Sequence, residues 1–90
     1  MSEKDELISM GEKIISNFRK KLSQGGGLAT WRKECALSCE ILLDYLKDSP
    51  TDTEKALLLA SIFQDKYINN KPPEIPHWCR KVTEHLSPNH

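Results

Sequence analysis

Apolar side chains recur three and four residues apart in four separate segments of this chain, and no segment alternates apolar and polar residues for long. A spacing of three and four places side chains on one face of an α-helix, whereas alternation is the pattern of a β-strand. Runs that contain glycine or proline separate the four segments. The pattern predicts an all-α fold, a compact four-helix array or irregular bundle.

The first predicted helix spans residues 3–23. Ser2 can cap its start, acidic residues follow in its first turn, and cations occupy its last turn, so both ends complement the helix dipole. The run Gly25-Gly26-Gly27 ends it, because glycine readily adopts the left-handed turn that terminates helices. Its apolar positions form one stripe along one face and are Leu7, Ile8, Gly11, Ile14, Ile15, Phe18 and Leu22.

The second predicted helix spans residues 30–47, and its broad apolar face makes it the expected central helix. The third spans residues 51–69. Two overlapping start signals precede it, since Ser49-Pro50 reads as a cap followed by proline and Thr51–Glu54 reads as a capping box.

The fourth predicted helix spans residues 76–86, with Pro76 at its first position. Three prolines in five residues impose an extended connection just before it. Its apolar face is Trp78, Cys79, Val82 and Leu86. Residues 87–90 are expected to be a flexible tail.

Composition narrows the classes of function. A length of 90 residues fits one domain. Lys plus Arg and Asp plus Glu are both 13, so net charge does not favour non-specific nucleic-acid binding. The first thirty residues show no signal-peptide pattern, no apolar run spans a membrane, and the three cysteines are an odd number. We therefore expect an intracellular protein in a reducing compartment, cytoplasmic or nuclear.

Zinc is the metal to consider. Cys35 and Cys39 lie four apart on one predicted helix, and His77, Cys79 and His85 lie on another. Structural zinc sites usually take paired ligands from short turns, and buried cysteine is common without a metal. The expectation is no metal and no cofactor, with the cysteines in the core.

The sequence also lacks a catalytic pattern. His77 and Cys79 are two residues apart and point to different faces of a helix, so they do not form a nucleophile–base pair. The glycine run has no preceding strand and lacks the lysine of a phosphate-binding loop. Pro73 and Pro76 match a minimal P-x-x-P ligand, but a rigid connector explains them equally well. We predict no enzymatic activity.

Two similar clusters, each with one tryptophan and two cations, open the second and fourth helices. Their members are Trp31, Arg32 and Lys33 in the second helix and Trp78, Arg80 and Lys81 in the fourth. Tryptophan and arginine are enriched where partners bind. Cations near a helix start also oppose the helix dipole, so helix stability does not account for them. If the two helix starts are adjacent, the six side chains form a basic patch with an aromatic floor.

The opposing interpretation is that both tryptophans fill the core and the cations lie on solvated flanks. The contact-surface hypothesis therefore requires exposed indole rings with the cations on one side of the molecule.

At the level of architecture only, the chain is similar to small helical adaptor modules, for example the C-terminal domain of rhabdovirus phosphoproteins. That likeness implies docking on nucleoprotein through a basic, partly aromatic surface, although a shared fold does not fix function.

Three hypotheses follow. The first is a non-enzymatic protein–protein interaction module, an adaptor or regulatory subunit, that binds an acidic protein surface or peptide through the six residues. The second is a nucleic-acid or nucleoprotein–RNA binding domain that uses the same patch. The third is a helical homodimer formed through an exposed apolar stripe on the first helix. None of them involves a membrane.

Overall fold

A computed structural model describes residues 2–87 of the chain. It confirms the all-α four-helix array predicted from the sequence. The helices are α1 (Glu3–Ser23), α2 (Ala29–Lys47), α3 (Thr53–Lys66) and α4 (Glu74–Leu86). Of the expected tail 87–90, the last three residues lie outside the described part.

The helices pack in chain order around one core. The α1 helix packs mainly along α2, α3 packs along α4, and α4 closes the ring by packing on α1. Ion pairs of Arg19 with Glu40 and of Glu12 with Lys47 show that α1 and α2 run antiparallel. At 42 × 24 × 18 Å the array is elongated.

Local capping explains where α1 begins and ends. The Ser2 hydroxyl accepts a hydrogen bond from the Asp5 amide at 3.1 Å, as the sequence predicted. After Ser23 the chain turns through Gly25 and Gly26, whose φ angles of 77° and 112° are left-handed. Glycine adopts these angles without a Cβ clash, so α1 stops and the chain reverses into α2.

The bounds of α3 differ from the predicted 51–69. Neither Ser49 nor Thr51 caps it, because the Asp52 carboxylate accepts a hydrogen bond from the Lys55 amide at 3.2 Å. Three nearby residues have capping chemistry, and the tertiary structure selects one of them. The helix ends at Lys66, so residues 67–69 form a turn instead of the predicted last turn of helix.

The fourth helix begins at Glu74, two residues earlier than predicted. Pro76 therefore lies within the first turn of α4, where a missing N–H is tolerated because the first four amides of a helix lack intrahelical acceptors. The second helix begins at Ala29, one residue earlier than predicted.

The core combines the expected stripes of all four helices. The fully buried side chains at its centre are Trp78, Leu42, Leu46, Ile75, Val82, Cys35, Cys39 and Cys79. The predicted stripe of α1 faces this core, so the exposed apolar stripe that the homodimer hypothesis placed on α1 is absent from the described structure. None of the helices within residues 2–87 combines the length and hydrophobicity needed to cross a membrane.

Candidate interaction site

The two tryptophan clusters have different environments. The Trp78 side chain is fully buried, and its indole N–H donates a 2.8 Å hydrogen bond to the Leu7 carbonyl oxygen. Trp31 keeps 38% of its surface exposed. Assigning Trp78 to a contact surface was therefore wrong, because its ring has no solvent-facing area and its polar atom is already satisfied.

The two cations of α4 lie away from the start of α2. Arg80 forms an ion pair with Glu84 at 3.8 Å and contacts the His77 ring nitrogen at 3.4 Å, on the side of α4 that faces α3. Lys81 faces α1, where Glu3 and Glu6 line the same depression. The structure therefore does not form one patch from the six predicted residues.

The α2 cluster of Trp31, Arg32 and Lys33 is divided as well. Trp31 and Arg32 line a small pocket, whereas Lys33 is exposed on the outer face of α2 and does not line it. The pocket lies at the end of the array where the α1–α2 turn meets the α3–α4 connection. We call it the Trp31 pocket. Its lining residues are Phe18, Lys21, Leu28, Trp31, Arg32, Asn70, Lys71, Pro72 and Glu74.

Aromatic packing fixes the position of Trp31. Its ring meets the Phe18 ring edge to face, with centroids 5.9 Å apart and planes at 77°. Lys21 lies 5.7 Å from the centroid of the same Phe18 ring. Leu28 stands beside them with 55% of its surface exposed, so an apolar surface with a cation at its edge remains open to a partner.

A backbone contact orients Arg32. One of its guanidinium nitrogens, Nη1, donates to the Gly25 carbonyl oxygen at 3.4 Å and lies near Gly26. The glycine turn that ends α1 thereby holds Arg32 at the pocket. The guanidinium has five N–H donors in a planar fork, so the remaining donors can bind an anion.

The α3–α4 connection supplies the opposite wall. Asn70 is only 7% exposed, and its side-chain nitrogen is buried with no hydrogen-bond partner in the described structure. Most buried polar groups have a partner, so an unpartnered amide at a pocket is an unusual feature. Lys71 adds a third cation to the lining and Glu74 adds its one carboxylate.

The pocket encloses about 120 Å³. A larger depression of about 810 Å³ lies along α1 and α2, but four of its charged side chains are already paired, as Arg19 with Glu40 and Lys47 with Glu12. In the Trp31 pocket, Lys21, Arg32 and Lys71 take part in none of the ion pairs within residues 2–87, and the Asn70 side-chain nitrogen has no hydrogen-bond partner there. For that reason we regard it as the better candidate site.

The cysteines belong to the core, as the sequence indicated. Cys35, Cys39 and Cys79 are free thiols that are at most 1% exposed. Burial raises the pKa of the Cys35 thiol to about 11 and that of Cys79 to about 12, and it raises the pKa of Cys39 still further. Within residues 2–87, no three His, Cys, Asp or Glu side chains converge as metal ligands.

Of the nine residues that line the pocket, the sequence predicted only Trp31 and Arg32 as site residues, and it missed Lys21, Lys71 and Asn70. The sequence pattern places Asn70 and Lys71 only in the proline-rich connection before α4. The sequence predicted that α3 ends at residue 69, three residues beyond its actual end at Lys66. The sequence therefore did not indicate that the connection after α3 lies beside Trp31. A comparison of the chain with protein-family models, curated proteins and solved structures found no match.

Proposed function

We propose that this chain is a non-enzymatic protein–protein interaction module that binds an acidic segment of its partner in the Trp31 pocket. The observation that carries the proposal is the meeting of an exposed indole, three cations and an unpartnered buried amide at one end of the array. Tryptophan and arginine are both enriched among the residues that dominate binding energy.

The chemistry of the lining fits a carboxylate beside an apolar side chain. Arg32 and the two lysines can donate charge-assisted hydrogen bonds to carboxylate oxygens, and such bonds are roughly twice as strong as neutral ones. Asn70 also lines the pocket, and its unpartnered side-chain nitrogen is buried behind the pocket surface. Leu28 and Trp31 offer apolar area to the residue next to the carboxylate in the partner.

Glu74 opposes anion binding in the same pocket. Three cations against one carboxylate leave a local excess of positive charge, although the whole chain is formally neutral. We expect Glu74→Gln to strengthen binding of an acidic peptide roughly two- to tenfold, because it removes a like charge from a partly desolvated site. A gain of affinity cannot be explained by a loss of folding.

The positions of the cations on α2 and α4 favour a protein partner over nucleic acid. On α4, Arg80 faces α3 and Lys81 faces α1, and neither side chain lines the Trp31 pocket. A phosphate backbone needs a continuous basic track, whereas a single acidic side chain needs one compact site. Binding that weakens steeply with added salt and prefers an oligonucleotide would support the nucleic-acid alternative.

The proposal is tested by fluorescence anisotropy with a labelled peptide in which glutamate alternates with leucine. Arg32→Glu should weaken binding by at least tenfold, which corresponds to more than about 1.4 kcal/mol. Arg80→Glu is the matched control, since it makes the same charge reversal on an exposed arginine outside the pocket. Its affinity should stay within about twofold of the unmodified chain.

Two results would contradict the proposal. Equal weakening by Arg32→Glu and Arg80→Glu would show that total charge, not the pocket, determines binding. Equal affinity for a peptide with lysine in place of glutamate would show that the site does not select acidic partners. Circular dichroism of each variant verifies that the helices remain formed.

A further inference from the structure

The outer face of α2 and α3 carries apolar side chains that nothing in the described structure covers. Leu37 and Ile41 on α2 are each 48% exposed, and Leu58 and Ile62 on α3 are 61% and 47% exposed. Single exposed apolar residues are ordinary, whereas a contiguous group of them marks an interaction surface. Whether these four are contiguous depends on how α2 and α3 are aligned.

Two contacts place the first half of α2 beside the end of α3. Glu34 on α2 forms an ion pair with Lys66 on α3. One turn further along α2, the Ser38 hydroxyl shares a 2.8 Å hydrogen bond with the Tyr67 hydroxyl. The chain joins the far ends of the two helices through a short connection, so α2 and α3 run antiparallel.

Helical spacing then brings the four apolar residues together. Leu37 and Ile41 follow Glu34 by three and seven residues, and are therefore on its side of α2. Ile62 and Leu58 precede Lys66 by four and eight residues, and are therefore on its side of α3. The four side chains form two neighbouring stripes, which we call the α2/α3 face.

Each stripe is bounded by one cation and one anion. Along α2 the order is Lys33, Leu37, Ile41 and Asp44, and along α3 it is Lys55, Leu58, Ile62 and Asp65. The four flanking charges are exposed and take part in none of the ion pairs found within residues 2–87. They are therefore available to a partner.

Because the helices are antiparallel, the charges alternate around the α2/α3 face. Lys33 and Asp65 stand at one end, and Asp44 and Lys55 stand at the other. A two-fold axis in the plane of the contact can place the face on its own copy in two ways. It either reverses the direction of the helices or exchanges α2 with α3. If the helix direction is reversed, Lys33 meets Asp44 of the second copy, and Lys55 meets Asp65.

The other two-fold arrangement is equally complementary. If the two helices are exchanged instead, Lys33 meets Asp65 of the second copy and Asp44 meets Lys55. In both arrangements every cation faces an anion and the apolar stripes cover each other. We propose that the α2/α3 face binds a second copy of this chain, forming a symmetric dimer that leaves the Trp31 pocket open.

The size of the face predicts a weak, reversible dimer. A helix of 14 residues is about 21 Å long, and two packed helices span about 20 Å, so the face projects to about 400 Å². Standard interfaces bury about 800 Å² on each partner. We therefore expect a dissociation constant of roughly 10–100 μM.

Sedimentation equilibrium of the full chain from about 5 μM to about 1 mM tests the proposal over the range that such an affinity requires. The mass should rise from monomer to dimer. Ile41→Asp should raise the dissociation constant at least tenfold, while Ile68→Asp should leave it unchanged. Ile68 is a matched control because it is 63% exposed but lies beyond the end of α3.

Charge exchange tests the symmetry independently. Lys33→Glu should weaken the dimer in both arrangements. Adding Asp44→Lys should restore it if helix direction is reversed, and adding Asp65→Lys should restore it if the helices are exchanged. A chain that stays monomeric at about 1 mM, association that Ile41→Asp does not weaken, or failure of both restorations would overturn the proposal.

Discussion

The indole ring of Trp78 packs directly on the backbone of α1 at Gly11. A Cβ atom at position 11 would overlap ring carbon Cζ2 and come within 3.0 Å of both Cε2 and Cη2. The indole N–H also reaches the Leu7 carbonyl oxygen, one turn earlier on α1. Glycine therefore allows α4 to approach α1 closely enough to bury a tryptophan completely.

This contact predicts that Gly11→Ala destabilises the fold, although alanine favours helix by about 1 kcal/mol over glycine. Overpacking a rigid core costs about 1–3 kcal/mol, and so close an overlap with the Trp78 ring places the cost near the top of that range, so we expect a net loss of roughly 1–2 kcal/mol in urea unfolding. Gly27→Ala is the control, since no atom lies within 4 Å of its Cβ position. A stability equal to that of the unmodified chain in Gly11→Ala would refute the packing.

The unequal burial of the two tryptophans predicts distinct fluorescence. Trp31→Phe leaves only the enclosed Trp78, so emission should shift to shorter wavelength and resist acrylamide. Trp78→Phe leaves only the half-exposed Trp31, and acrylamide should quench it several times more strongly. Similar quenching in both variants would mean that the burial assigned to these rings is wrong.

The hydroxyls of Ser38 and Tyr67 form a buried link between α2 and α3. Tyr67→Phe leaves the Ser38 hydroxyl without this partner, so we expect a loss of about 1–2 kcal/mol in unfolding free energy. Ser38→Ala added to that variant should recover part of the loss, with a coupling of at least about 0.5 kcal/mol. Strictly additive effects of the two changes would argue against the hydrogen bond.

Burial of the thiols predicts a loss of stability in alkaline solution. The pKa of Cys35 is raised from 9.0 to about 11 and that of Cys79 from 9.0 to about 12, so the unfolded chain releases these protons first. Their stabilising contribution is complete below about pH 9 and declines as pH rises toward about 11–12. The urea midpoint should therefore fall above about pH 9.

Replacing all three cysteines with alanine is the control for that experiment, because it removes the thiols and leaves every other side chain in place. The variant should lose less stability than the unmodified chain between about pH 8 and about pH 10.5. Native thiols should also react slowly with Ellman's reagent at neutral pH and rapidly in denaturant. Equal alkaline losses, or rapid labelling of the folded chain, would contradict the burial.

Local sequence signals predicted the fold more completely than the site. The bounds of α1 follow from a serine cap and a glycine turn, and the sequence located both of them. The start of α3 was misplaced because Ser49, Thr51 and Asp52 all have capping chemistry, and only tertiary context distinguishes them.

The two tryptophan clusters show why the site was only partly predicted. Both are a tryptophan followed by cations near a helix start, so the local pattern cannot separate them. What differs is the residue opposite each ring, which is Gly11 for Trp78 and Phe18 for Trp31. A glycine inside a helical stripe often has a packing reason, and that signal could have identified the buried ring.

Binding of an acidic partner beside Trp31 is tested most directly by the two indole N–H signals of a ¹⁵N-labelled sample. We expect titration with the glutamate–leucine peptide to shift the Trp31 signal progressively and leave the Trp78 signal unmoved. The Asn70 side-chain amide signals should shift together with that of Trp31. If neither Trp31 nor Asn70 shifts under conditions where the peptide binds, the Trp31 pocket is not the binding site.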